Sequence, residues 1–106
     1  MKCFRDDDEG YLQWIADNPH GFVVNTRRQP DPNYLILHVA TCSRISGTPS
    51  GGKKWTEEYI KICSPDRMEL ENCLKVLLSG RLQPCASCKL KLSKMKGAFI
   101  LDNLKQ

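Results

Sequence analysis

Residues 59–66 read Tyr59-Ile60-Lys61-Ile62-Cys63-Ser64-Pro65-Asp66, and the change of pattern inside them sets the fold class. Tyr59 to Cys63 is β-branched and aromatic and reads as a strand. Ser64, Pro65 and Asp66 then supply an N-cap, a first helical proline and a first-turn acid. Leu70, Cys73, Leu74 and Leu77 give an apolar stripe at helical spacing, and Ser79-Gly80 closes the helix. Upstream, Phe22–Thr26 and Tyr34–Val39 read as two further strands, joined by a loop through Pro30 and Pro32. Before them, the acids Asp6 to Glu9 suit a helix N-terminus, Tyr11, Leu12 and Ile15 follow at helical spacing, and Asn18-Pro19 stops the run. The acids themselves read as a solvated charge run.

The expected fold is therefore α+β: a small, mainly antiparallel, three-stranded sheet with two or three helices. At 106 residues the chain fits one domain. It divides into an N-terminal helix (1–19), a sheet-and-helix body (20–88) and a basic and apolar C-terminal extension (89–106). Hydrophobic residues make up 41% and charged residues 26% of the chain, an ordinary globular balance. No apolar run approaches the roughly 18 residues of a membrane span, and no apolar stretch follows Lys2 and Arg5. A cytoplasmic protein with no membrane partner is the expectation.

A body this small gains from a staple. The six cysteines are Cys3, Cys42, Cys63, Cys73, Cys85 and Cys88. Without an export signal, metal ligation is a better use for them than disulfides. The turn Pro84-Cys85-Ala86-Ser87-Cys88 can aim two sulfurs at one centre, and His38-Val39-Ala40-Thr41-Cys42 places an imidazole and a thiol where the second strand ends. A turn into helix at Thr41 would face both toward Cys85 and Cys88. A tetrahedral Zn2+ site of His38, Cys42, Cys85 and Cys88 follows. Two bland alternatives stand beside it: a hydrogen-bonded strand histidine and a core cysteine. Cys63, at the end of the third strand, is a competing ligand, although a packing role suits it better. Cys73 belongs to the helix stripe.

The segment from Leu37 to Cys42, taken with Pro84 to Cys88, resembles the zinc-binding domain of Ada-type DNA-repair methyltransferases. It resembles more closely that domain's stand-alone relatives, with a His-x3-Cys followed by a Pro-Cys-x-x-Cys. The resemblance covers about half the chain. It implies zinc at the same four residues, with a strand and a helix between the two pairs. His38 stands where the repair proteins carry the cysteine that accepts a methyl group. Methyl transfer is therefore not implied unless Cys42 takes it over.

Four protein ligands leave no open position for a substrate, which favours a structural metal. No acid/base pair, nucleophile triad or phosphate loop stands out, so no catalytic residue, enzyme activity or small-molecule substrate is expected. Residues 1–35 carry four basic and six acidic side chains, and residues 36–106 twelve and six. That asymmetry makes nucleic acid the favoured partner, through Lys53, Lys54, Arg81, Lys89 and Lys91, with Lys94 and Lys96 beyond them. The alternatives are a protein-interaction or regulatory module docking through Ala98 to Leu104, and a dithiol redox protein using Cys85 and Cys88.

Overall fold

A computed structural model describes residues 1–93. The elements run β1 (Lys2–Phe4), α1 (Asp8–Asp17), β2 (Phe22–Arg27), β3 (Ile36–Val39), β4 (Tyr59–Ser64), α2 (Arg67–Leu78) and β5 (Gln83–Pro84), and residues 89–93 are again helical. The fold is α+β, but the sheet has five strands rather than three, in the order β1-β4-β2-β3-β5. The two additions are the short edge strands, of three and two residues. Neither is long enough to show a period of two, so each becomes a strand only because a neighbour offers an unpaired edge. Residues 94–106 of the expected extension, with Lys94, Lys96, the apolar stretch Ala98 to Leu101 and Leu104, lie outside the described residues.

Every pairing is antiparallel except β3 with β5. Because β2 is antiparallel to both β3 and β4, strands β4 and β5 point the same way. The chain therefore leaves β4, crosses β2 and β3 through α2, and returns as an edge strand beside β3. Pro84, which lacks an N–H, is tolerated there because it sits on the edge.

The register sorts the side chains onto two faces. Lys2, Cys63, Val23 and His38 stand in one row, and Cys3, Ile62, Val24 and Leu37 in the next row on the other face. Helix α1 covers the first face: Tyr11 and Ile15 are buried, and the Tyr11 ring lies 6.0 Å from that of Phe4. Helix α2 covers the second with Leu70 and Leu74. Val23 and Val24, in the central strand, are both fully buried.

Three details depart from expectation. Helix α2 is capped by Asp66, whose carboxylate accepts from the Met68 N–H, and begins at Arg67. The Ser64 hydroxyl instead donates to Glu69 and accepts from the Asp66 N–H. At the other end, Leu77 is 69% exposed, Cys73 is half-buried and Leu78 packs on the core. Ser79 takes the left-handed cap at φ 55. A Cβ on Gly80 would collide with Leu35, and Leu78, one i+4 step past Leu74, packs inward in place of Leu77.

The acidic run is exposed at Asp6, Asp7 and Glu9, as a solvated helix start would be, but Asp6, Asp7 and Asp8 also make specific bonds. Asp7 caps the helix by accepting from the Gly10 N–H, and Asp6 holds Arg28 through both carboxylate oxygens, at 2.9 and 2.6 Å. The Asp8 carboxylate accepts from the Trp55 N–H, the Thr56 N–H and the Thr56 hydroxyl at 2.6–2.8 Å. Burial opposes its ionisation, but those three donors hold its pKa below the ordinary aspartate value.

Candidate metal centre

The parallel β3–β5 pairing builds the site. The Cys85 N–H donates to the Leu37 carbonyl at 2.9 Å, continuing the ladder from the Gln83 N–H and the Leu35 carbonyl. Cys85 thus arrives beside His38, near the end of β3. After Val39 the chain turns, with the Cys42 N–H returning to the Val39 carbonyl, and enters a 3-10 turn at Ser43–Ile45. The expected helix at Thr41 is replaced by this tight turn, because Ile45 must drop into the core, where it is 3% exposed.

His38, Cys42, Cys85 and Cys88 are all buried, with their ligand atoms within 4.8 Å of one another. The Cys42 and Cys85 sulfurs are 3.9 Å apart, close to the separation of about 3.8 Å that sulfurs bound at 2.3 Å to one tetrahedral centre require. His38 Nδ1 is buried without a hydrogen-bond partner among the described residues. A buried imidazole nitrogen with no hydrogen-bond partner is a cost to the fold, and a metal ion relieves such a cost by taking a ring nitrogen's lone pair. These residues form a group able to hold one.

The electrostatics agree. Burial, with Lys61 and Arg44 nearby, lowers the His38 pKa to about 4, so the ring is neutral and ready to ligate. Burial opposes ionisation of Cys85, but N–H groups of Cys88 and Ser87 bring its pKa below the ordinary thiol value, Ser87 from 3.3 Å. An N–H from Arg44 is aimed at Cys42 in the same way, two residues on, although burial keeps that thiol's pKa raised. Both turns therefore place amide donors where thiolate charge would sit. Burial pushes the Cys88 pKa up to about 12, with the neighbouring thiols adding to it. Cys42 and Cys88 are therefore neutral thiols without a metal, and a bound cation is the kind of partner that would stabilise them as thiolates.

Cys63 is not a member of the group. It shares a face with His38, but β2 lies between them, which at normal strand spacing means about 10 Å. It is fully buried, and that burial raises its pKa to about 12. Cys3 is exposed. Brief alkylation of the metal-loaded protein, read by peptide mass spectrometry, should therefore mark Cys3 first and spare Cys42, Cys85 and Cys88. A chelator should make those three reactive. Labelling of Cys85 and Cys88 as fast as Cys3 in loaded protein would contradict a metal at this position.

The five cations singled out in the sequence are all exposed, but they do not converge. Arg81 and Lys89 line a groove of about 740 Å³ with Arg67 and Lys75, which sequence patterning alone left unremarked on helix α2. Its one acid among the described residues, Glu71, pairs with Arg67 at 2.7 Å. Lys53 and Lys54 line a different cleft of about 550 Å³, and Lys91 lines neither. No helix among the described residues is long and apolar enough to cross a membrane. Compared with protein-family models, with curated proteins and with solved structures, the chain matches none.

Proposed function

We propose that this chain is a small, non-catalytic, zinc-stabilised module that binds nucleic acid. The observation that carries it is the buried His38, Cys42, Cys85 and Cys88 tetrad, whose last ligand, Cys88, is followed directly by Lys89 on the cationic groove. One imidazole and three thiols form a donor set suited to zinc, and four protein ligands close its coordination shell. The Ada-type resemblance adds support, since a strand and a helix, β4 and α2, separate the two ligand pairs. Methyl transfer is not part of the reading, because an imidazole at His38 cannot be the acceptor.

Arg67, Lys75, Arg81 and Lys89 against Glu71 give the groove the sign a phosphate backbone needs. Binding to a labelled duplex should weaken steeply between about 50 and 200 mM salt. The double variant Arg81→Glu/Lys89→Glu should bind more weakly at every salt concentration, with the log–log salt slope reduced by about two. Affinity unchanged across that range would overturn the nucleic-acid reading. A protein-docking module would then remain, the role favoured by Val76, Leu77 and Leu90, which are 80%, 69% and 68% exposed.

A further inference from the structure

The second cleft has a different chemistry from the groove beside Cys88. Trp55 and Tyr59 line it, with Ile45 and Pro49 completing an apolar wall. Arg44, Lys53 and Lys54 stand around it, all exposed and none within 4 Å of an acid among the described residues. Glu57 and Glu58 also line it, so the cations outnumber the acids only modestly, and the aromatic groups must supply much of any affinity.

Trp55 is half-buried and held at several points. Its indole Nε1–H donates to the Gly47 carbonyl at 2.9 Å, its backbone N–H donates to Asp8 at 2.7 Å, and its carbonyl accepts from Lys61 Nζ at 2.5 Å. The ammonium of Lys61, itself bonded to Asn25 Oδ1, lies 5.9 Å from the Trp55 ring centroid. The aromatic surface then continues past the cleft: Tyr59 packs on Tyr34 with centroids 5.6 Å apart, and the Arg27 guanidinium lies 4.8 Å over Tyr34. Rings fixed in this way lose little freedom when a flat ligand stacks on them.

We propose that this cleft binds single-stranded nucleic acid, with a base stacked on Trp55 and the flanking phosphates met by Arg44, Lys53 and Lys54. Cations interleaved with successive aromatic rings are the pattern that tracks an unpaired strand, whereas a duplex keeps its base faces hidden. The inference rests on the nucleic-acid reading and adds the strand class and the face. It also ties the cleft to the metal: Arg44 and Ile45 lie two and three residues after Cys42, and the Tyr11 hydroxyl donates to the Ile45 carbonyl at 2.6 Å.

The test uses the metal-loaded full chain carrying Trp14→Phe, so that all tryptophan emission comes from Trp55. Oligothymidylate, oligouridylate and a duplex, each on the order of ten nucleotides or base pairs, are titrated in at about 50 mM salt. Either single strand should quench the emission and bind about tenfold or more tightly than the duplex, and the two arms show whether DNA or RNA is preferred. Lys53→Glu/Lys54→Glu, at exposed positions, should weaken single-strand binding, and Trp55→Ala should cost about tenfold or more, the size of one lost stack. Unmoved emission at saturation, or a duplex bound as tightly, would overturn the proposal. If binding persists with unmoved emission and is lost in Arg81→Glu/Lys89→Glu, the cleft falls while the broader reading stands. If no probe binds, both fall.

Discussion

A strong chelator is expected to unfold this protein, and His38→Ala and Cys85→Ser are expected to produce the same loss without one. The four ligands come from two segments more than forty residues apart, and the backbone pairing between them is one edge contact with a two-residue strand, helped by Leu82 and Leu92 on the core. That pairing cannot hold the C-terminal turn in place alone. Structural zinc in small domains supplies on the order of 10 kcal/mol at neutral pH, which is comparable with the whole stability of a domain this size. Native mass spectrometry should show one zinc per chain in wild type and none in either variant, and circular dichroism should show the cooperative melt lost with it. Metal-free protein that still melts cooperatively would remove zinc from the account.

Acid should have the same effect. Metal binding displaces protons from the thiols, so falling pH favours the metal-free form. His38 adds to this. Burial in the fold lowers its pKa to about 4, below its ordinary value of 6.5, so the unfolded chain binds more protons between those two values. The folded state that presents the ring to a metal therefore loses stability as pH falls through that window.

The second large effect is expected at Asp8. Asp8→Ala leaves the Trp55 and Thr56 N–H groups and the Thr56 hydroxyl without their acceptor, and Thr56 is fully buried. Hydrogen bonds to a charged group contribute roughly 1.5–3 kcal/mol net each, and water reaching the half-buried Asp8 position replaces part of that in the variant. A loss of about 2–4 kcal/mol, or about 10 °C or more in Tm, is the expected outcome. Asp7→Ala, which removes only a cap bond to Gly10, should cost about 1 kcal/mol. The two variants should both keep one zinc per chain, because the clamp bonds to none of the four ligands. The Asp8 pKa is lowered, so its contribution is complete above the ordinary aspartate range and disappears as pH falls through the folded value. Equal melting temperatures for the two variants at neutral pH would refute the clamp.

Local chemistry made the long elements readable. The β-branched run at Phe22 to Thr26 and the alternation at Tyr59 to Cys63 each carry a period that needs no partner to be seen. The acidic start and the proline stop bracket α1, and the Cys-x-x-Cys and His-x3-Cys spacings brought four candidate ligands into view. Lys2 to Phe4 and Gln83 to Pro84 carry no such period. Their strand character is conferred by the open edges of β4 and β3, and an edge is a property of the assembled sheet.

Spacing along the chain pointed to the four members of the metal group, while the fold supplied the reason Cys63 is left out of it. The sequence could make Cys63 only a weaker competitor, at the end of its strand. The parallel pairing sets Cys85 level with His38, and a whole strand separates Cys63 from it. Charge followed the same division. Composition located an excess of cations after residue 35, but only packing could show that Arg81 and Lys89 share a groove with Arg67 and Lys75, whereas Lys53 and Lys54 surround Trp55 elsewhere. The acidic run illustrates the limit most directly. Four consecutive carboxylates look alike in sequence, and what separates Asp8 from its neighbours is a pair of backbone N–H groups nearly fifty residues away, brought to it by the fold.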